Sequence, residues 1–210
     1  MQFDPGCRRC PRLARFLDEV QLKYPEYHAR PVPPFGDANA RVLVLGLAPG
    51  MHGANASGRP FTGDFAGIIL YRTLHQFGFS SSPESLSVND GLELSDCRIS
   101  NAVKCLPPQN RPLTSEIAAC NGFLRHELNQ LPPSAIVVAL GTIAHNAVLR
   151  ALGLKLSGYR FGHGRVHALR EDLQMIDSYH CSRYNTQTKR LTPEMFQQIF
   201  RRVRALLAAG

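Results

Sequence analysis

Four side chains whose types can do chemistry fall near the ends of predicted strands. Phe61 and Asp64 lie in one glycine-rich loop, Asn101 lies in a later strand, and His180 directly follows another. A phenyl ring offers a flat face for stacking, and an amide offers both a donor and an acceptor. An imidazole can donate to a developing oxyanion, and a carboxylate can orient water or offset positive charge. Together these groups match a flat ligand with polar edges, such as a nucleobase.

Each of these side chains also has an ordinary structural role open to it. Asp64 immediately precedes a predicted helix, where aspartate is a favoured N-cap. Phe61 can fold onto the core, Asn101 can satisfy buried backbone groups, and His180 can be a structural histidine at a strand end. Residue type alone does not choose between these roles and the chemical ones.

The loop that carries Phe61 and Asp64 spans residues 46–67, GLAPGMHGANASGRPFTGDFAG. It follows the apolar run 41–45, which is typical of a buried strand, and it leads into a helix predicted over 65–79. Open α/β sheets bind ligands at the carboxyl ends of their parallel strands. The many glycines let backbone amides approach a ligand closely, although a long, mobile connection has the same composition.

Four cysteines have the spacing of a metal centre. Cys7 and Cys10 form a C-x2-C pair that opens a predicted helix, and Cys105 and Cys120 form a C-x14-C pair far along the chain. Zinc ribbons usually combine two short C-x2-C pairs, so one short and one wide pair favour an iron–sulfur cluster. Four unrelated thiols remain the alternative at this point.

The elements that position these groups alternate between strand and helix. We predict core strands at 41–45, 98–104, 135–140 and 173–178, with helices beginning at Pro11, Phe65, Thr114, Thr142 and Pro193. We expect Thr114 and Thr142 to act as N-caps of their helices and Thr192 to cap the last one. Residues 158–165 are glycine-rich and basic, which predicts a hairpin or loop. This alternation predicts an α/β fold with a mainly parallel four-stranded sheet covered on both faces, in one domain spanning residues 1–210.

The net charge of +8 and the pI near 9.5 favour an anionic partner, most commonly nucleic acid. No apolar run is long enough to cross a bilayer, and the first ten residues lack the apolar core of a signal peptide. We therefore expect a cytoplasmic protein, associated with the nucleoid if its source is a prokaryote, with reduced cysteines and no membrane contact.

Four motifs resemble those of the uracil-DNA glycosylase superfamily. They are G-L-A-P-G-x-H-G-x-N, G-R-P-F-T-G-D-x-A-G, N-A-V-K-C and H-x-S-x-x-N-x-x-T-x-R-L-T. With the four cysteines, the chain resembles family 5, the iron–sulfur branch of broad specificity, from Cys7 to Thr192. The resemblance implies a three-layer α/β/α sandwich and a [4Fe–4S] cluster on Cys7, Cys10, Cys105 and Cys120. It also implies a monomeric, monofunctional enzyme that excises uracil and related deaminated or modified bases from double-stranded DNA.

The resemblance also assigns roles to individual residues. It implies catalytic roles for Asp64 and His180, and a base pocket formed by Gly46, Leu47, Ala48, Gly50, Phe61 and Asn101. It implies DNA contacts from the last motif, at Ser182, Arg183, Tyr184 and Asn185, with Arg183 and Tyr184 at the wedge positions. The net charge and the position of the basic loops near the site predict phosphate contacts from Arg59, Arg165 and Arg183, and we also expect a DNA contact from Asn55. Other branches have an acidic or amide residue in the first motif, where this chain has Leu47 and Ala48. That difference leaves Asp64, the backbone or Asn55 to position the water.

One residue departs from the family pattern. The usual His-Pro-Ser is His180-Cys181-Ser182 here, and proline restricts both its own φ and the preceding residue. The conformation of this loop is therefore left open. A non-catalytic iron–sulfur DNA-binding protein, acting as a damage or redox sensor, is the alternative function. A phosphate-binding hydrolase ranks below it, because the loop lacks the G-K-[ST] ending of a P-loop.

Overall fold

The computed structural model describes residues 1–209. Within this range the chain forms six strands and seven helices, with short 3₁₀ turns at Pro108–Asn110 and Leu156–Gly158. In chain order the elements are α1 (Pro11–Lys23), β1 (Phe35–Gly36), β2 (Val42–Gly46), α2 (Ala54–Ser57), α3 (Phe65–Gln76), β3 (Cys97–Asn101), α4 (Thr114–Asn129), β4 (Ala135–Leu140), α5 (Thr142–Ala151), β5 (Val166–Arg170), β6 (Leu173–Ser178), α6 (Arg183–Gln187) and α7 (Pro193–Ala209).

The strands form a single sheet in the order β1-β3-β2-β4-β6-β5. The four inner strands are the predicted ones, and all three pairs between them are parallel. The sheet nevertheless has six strands, not four, because β1 and β5 add antiparallel edges. The two-residue β1 is too short to show a periodicity. The strand β5 follows the glycine-rich segment 158–165 and forms a hairpin with β6.

Alternating side chains of the inner strands build a core on each face of the sheet. Val44 and Val138 pack on the face covered by α3 and α7, and Leu43 and Val137 pack on the face covered by α4 and α5. Successive strand residues point to opposite faces, so each of these apolar runs serves both cores. The predicted α/β class and its three layers are confirmed.

Local capping explains where several helices begin and end. Pro11 is the first residue of α1, and the Thr192 hydroxyl accepts from the Met195 N–H at 3.2 Å, as predicted. The capping roles predicted for Thr114 and Thr142 are wrong, because both are the first residues inside their helices, after Leu113 and Gly141. The helix α3 stops at Gln76, three residues before the predicted end. Its termination places Gly78 at φ 70°, a conformation that glycine adopts without steric cost.

The parallel strands all end at one edge of the sheet. At this edge the loop of residues 46–67 lies close to Asn101 and His180. Among residues 1–209, no helix is both long and apolar enough to cross a membrane.

Candidate active site

A cavity of about 420 Å³ opens at the carboxyl edge of the parallel strands. Nine of the residues predicted for the site line it, namely Leu47, Ala48, Gly50, Phe61, Asp64, Asn101, His180, Ser182 and Arg183. They come from the loops after β2 and β6 and from the end of β3. The volume lies within the range typical of small-ligand pockets. The fold therefore brings together groups that are more than a hundred residues apart in sequence.

Asp64 uses its two carboxylate oxygens differently. Oδ1 accepts the Gly67 N–H at 2.8 Å and caps α3. Oδ2 lies close to Gly53 and Gly50, where an added Cβ would come within 2.7 Å and 3.8 Å of it. Burial raises the pKa of Asp64 above its ordinary value, although hydrogen bonds from the Gly67 and Ala66 backbone oppose the shift. The capping role and the position at the cavity therefore coexist in one side chain.

The ring of Phe61 and the amide of Asn101 meet over the glycine that ends β2. A Cβ built on Gly46 would lie 2.4 Å from Asn101 Oδ1 and 2.6 Å from the Phe61 ring. Only glycine fits at this position. Asn101 is 3% exposed, and its Oδ1 has no hydrogen-bond partner among the described residues. A buried amide oxygen without a partner is costly, and it is explained most simply by a ligand that donates to it.

His180 lies beside Phe61, with ring centroids 6.0 Å apart and planes 28° apart. Burial lowers the pKa of His180 to about 4, so the imidazole is neutral at physiological pH. The segment after it is held by short-range bonds. Asn185 Nδ2 donates to the His180 carbonyl at 2.8 Å, and Ser182 caps α6 by accepting the Asn185 N–H. Cys181, which replaces the expected proline, is fully buried in the core below this segment.

The predicted DNA-contacting residues divide into exposed and buried groups. Arg165, Arg183 and Tyr184 are exposed, and Tyr184 is 70% exposed. Arg59 is 5% exposed, and its guanidinium donates to Asp90 at 2.8 Å, so it is not available to a phosphate. Asn55 is fully buried. The structure therefore corrects the predicted direct DNA contacts of Arg59 and Asn55, because residue type does not reveal a partner inside the fold.

The basic segment 158–165 is anchored by a buried carboxylate. Asp177 accepts from His145 Nδ1 at 2.7 Å, from His167 Nε2 at 2.9 Å and from the Gly162 N–H at 3.0 Å. His145 Nε2 faces the Tyr159 carbonyl at 2.9 Å. Both nitrogens of His145 thus face acceptors, and only the doubly protonated imidazolium satisfies both. Although burial acts to lower the pKa of His145, the hydrogen bond that His145 donates to Asp177 and the charge of that carboxylate raise the pKa above its ordinary value.

The four predicted metal ligands line a common small cavity on the other face of the sheet, beside α1 and α4. These ligands are Cys7, Cys10, Cys105 and Cys120. Burial and the neighbouring thiols raise the pKa of Cys105 to about 12 and that of Cys120 to about 11. The backbone N–H of Lys104 points at Cys120 Sγ at 3.3 Å. The pKa of Cys10 is raised as well, mainly by burial, so the thiols of Cys10, Cys105 and Cys120 would remain protonated unless a cation compensated their charge.

A family model described as the uracil DNA glycosylase superfamily matches residues 33–204. The chain is 46% identical over 206 residues to the type-5 uracil-DNA glycosylase of Thermus thermophilus, which covers 96% of this chain and 94% of that protein. The chain belongs to the uracil-DNA glycosylase superfamily. A second type-5 uracil-DNA glycosylase, from Pyrobaculum aerophilum, is 44% identical over 204 residues, or 95% of this chain and 88% of that protein.

A more distant relative belongs to another branch of the superfamily. The type-4 uracil-DNA glycosylase of Saccharolobus solfataricus is 26% identical over 192 residues, or 87% of this chain and 82% of that protein. The prediction of a uracil-DNA glycosylase of family 5 is confirmed by these likenesses. The non-catalytic sensor is not favoured by them.

Four residues that line the cavity were not predicted from the sequence, namely Ala54, Phe65, Ala66 and Asn110. Asn110 belongs to the segment Pro107-Pro108-Gln109-Asn110, which follows β3 at the same edge of the sheet. Its position after a parallel strand was the available signal, because loops there line the ligand site of open sheets.

Proposed function

We propose that this protein hydrolyses the N-glycosidic bond of uracil, and of related deaminated or modified bases, in double-stranded DNA and leaves an abasic site. The observation that carries the proposal is the unpaired, buried Oδ1 of Asn101 in a cavity that also holds Phe61, Asp64 and His180. We take the active form to be a monomer.

A base must leave the duplex before its glycosidic bond can be reached, at a cost of a few kcal/mol. In the proposed complex the extruded base stacks on Phe61, a contact worth about 1–3 kcal/mol in single-stranded complexes. Asn101 then pairs with the polar edge of the base. Because an amide offers a donor on one side and an acceptor on the other, one asparagine can serve base edges of either pattern. This versatility supports activity on several bases.

Cleavage builds positive charge on the sugar and negative charge on the leaving base. His180 is neutral, and its N–H can donate to the base oxygen on which negative charge develops. The free Oδ2 of Asp64 can orient water and offset the charge on the sugar. Asp64 is the single carboxylate among the described residues that line the cavity. The mechanism therefore differs from that of sugar hydrolases, which use two carboxylates.

We further propose that the four cysteines hold a [4Fe–4S] cluster. Among the described residues, no three of their sulfurs lie within 4.8 Å of one another. A single tetrahedral zinc with Zn–S bonds of 2.3 Å would place the sulfurs about 3.8 Å apart. The common cavity that the four cysteines line and the raised pKa values of Cys10, Cys105 and Cys120 support a cationic group held between them. The cluster would supply structural cross-linking of α1 to α4, since Cys10 directly precedes α1 and Cys120 lies within α4.

The proposed function is tested by a substitution that removes the negative charge of Asp64 but keeps its N-cap hydrogen bond to helix α3. Asparagine caps about as well as aspartate, so Asp64→Asn is expected to fold and to bind a uracil-containing duplex. Its single-turnover excision rate is expected to fall by on the order of 10²–10⁴-fold, as is typical for a positioned acid–base group. Glu19→Gln, which removes an exposed carboxylate of α1, serves as the control. A wild-type protein that forms no abasic sites would refute the proposed activity. Near-normal excision by Asp64→Asn would refute only the role of Asp64.

A further inference from the structure

A second groove continues from the Asp64 cavity along the start of α3. It shares Asp64, Phe65 and Arg183 with the cavity, and residues 84–86 form part of its wall. The groove and the cavity form one surface, and Arg183 stands at the junction between them. A duplex whose extruded nucleotide occupies the cavity would pass directly over this surface.

The groove exposes apolar side chains between charged ones. Leu86 is 74% exposed and Ile68 is 48% exposed, on opposite walls. The groove also holds the guanidinium groups of Arg72 and Arg183 and the carboxylate of Glu84, which pairs with Arg72 at 3.8 Å. With the shared Asp64, the groove holds two guanidinium groups and two carboxylates, so its net charge is zero. The Arg183 guanidinium at the junction can meet a phosphate, and the apolar side chains can pack against an unstacked base step.

The loop that presents Leu86 is fixed from inside the fold. Asp90 forms a buried ion pair with Arg59 at 2.8 Å, and its carboxylate also accepts the Leu86, Ser87 and Leu92 N–H groups at 2.8 to 3.1 Å. Arg59 completes the clip by donating to the Val88 carbonyl at 2.8 Å. We call this ion pair and its backbone hydrogen bonds the Arg59–Asp90 clip. The clip keeps the Leu86 side chain in solvent, whereas an unrestrained loop could turn this side chain toward the core. An exposed apolar side chain held in place in this way indicates a contact surface.

We propose that residues 84–92 form a second DNA-contacting element, in which Leu86 packs against the duplex beside the extruded nucleotide. The inference rests on the proposed function, since DNA is the occupant. It reinterprets Arg59 as the residue that shapes a DNA-contacting loop from below. Tyr184, which follows Arg183 in the sequence and is 70% exposed, offers the duplex a second large side chain. Proteins that kink DNA commonly insert apolar wedges between base steps.

This placement makes Leu86 act on extrusion and not on bond cleavage. Its contact exists only when a second strand and stacked neighbours are present. A single-stranded substrate needs no strand separation, so it reaches the cavity without this contact. The two substrates therefore separate the role of Leu86 from the chemistry at Asp64.

The test compares Leu86→Ser with the wild type on a uracil-containing duplex and on the same strand alone. We expect the single-turnover rate on subsaturating duplex to fall on the order of tenfold, the effect of withdrawing one leucine from an apolar contact. The rate on the single strand is expected to stay unchanged. Leu22→Ser is the matched control, because Leu22 is 84% exposed at the distant end of α1. It should change neither rate.

An unchanged duplex rate, or an equal loss on both substrates, would overturn the proposal. A second copy of the chain is the other partner that could cover this surface. Sedimentation of the wild type and of Leu86→Ser would detect such self-association. A wild type that self-associates through Leu86, with duplex excision unaffected by Leu86→Ser, would also overturn it. Excision of uracil from the single strand by the wild type keeps the proposed activity standing whichever result is found for Leu86.

Discussion

Replacing Gly53 by alanine should displace Asp64 without altering its chemistry. A Cβ at this position would lie 2.6 Å from Asp64 Cβ and 2.7 Å from Oδ2, whereas ordinary contact begins near 3.4 Å. The Asp64 carboxylate must therefore move by about 0.7 Å, the difference between 3.4 and 2.7 Å. A misplacement of about 1 Å can cost about 10²-fold in rate. We expect the single-turnover excision rate of Gly53→Ala to fall by nearly that factor.

The same shift strains the cap of α3. Losing the bond from the Gly67 N–H would destabilise the protein by about 1 kcal/mol, which lowers Tm by about 2–4 °C for a chain of this size. The matched control is Gly158→Ala, because a Cβ at Gly158 meets nothing within 4 Å. Rates would be measured at a temperature well below both transitions, so that loss of fold does not mimic loss of catalysis.

A double-mutant cycle decides whether the effect passes through Asp64. If the added methyl acts by moving the carboxylate, Gly53→Ala should slow Asp64→Asn very little, because there is no charge left to misplace. Equal losses in the wild-type and Asp64→Asn backgrounds would show that the methyl blocks the base or the water by itself. The assignment of Oδ2 as the catalytic atom would then be wrong.

Four further outcomes are expected. The excision rate should fall as the pH drops through the raised pKa of Asp64, while His180 stays neutral down to about pH 4, and Asp64→Asn should lack this acid limb. Because a buried carboxyl with a raised pKa opposes folding as it ionises, the free energy of unfolding of Asp64→Asn relative to wild type should rise with pH, as followed by denaturant unfolding. The pKa of His145 is raised, so its pair with Asp177 stabilises the fold fully at pH values below the unfolded-state pKa of His145. This stabilisation is lost as the pH rises through the folded-state pKa. His145→Gln should flatten this part of the dependence of unfolding free energy on pH, and an unchanged dependence would contradict the prediction. Cys105→Ser should lose iron and sulfide together with stability, since metal binding and folding are coupled. Metal and sulfide analysis of anaerobically purified protein would show this. Stoichiometric zinc without iron in the wild type would refute the proposed cluster.

The sequence predicted best the elements that carry their own periodic signal. Residues 135–140 and 173–178 form strands at the predicted bounds because each is a short, buried run that contributes apolar side chains to both cores. The edge strands were missed, since β1 has two residues and β5 is buried on one face only. Their pairing depends on neighbours that a local pattern does not contain.

The site was predictable where the strand ends dictate proximity. Asn101 and His180 lie where parallel strands must deliver them, and both line the cavity. Arg59 was misassigned because its partner, Asp90, lies 31 residues away in a loop without periodicity. Asn110 was missed for a related reason, because its φ of 55° turns the chain toward the cavity and sequence does not encode such a turn strongly.

The division of labour between the two oxygens of Asp64 has a consequence for how this position can evolve. Selection for a folded helix α3 acts on Oδ1 and tolerates asparagine, serine or threonine, which cap as well or nearly as well. Under the proposed role of Asp64, selection for excision acts on Oδ2 and accepts only a carboxylate of the same length. A lineage that no longer needed the activity could therefore replace Asp64 without losing the stability of the fold. Its descendants would be folded but inactive proteins, and a substitution at position 64 would identify them.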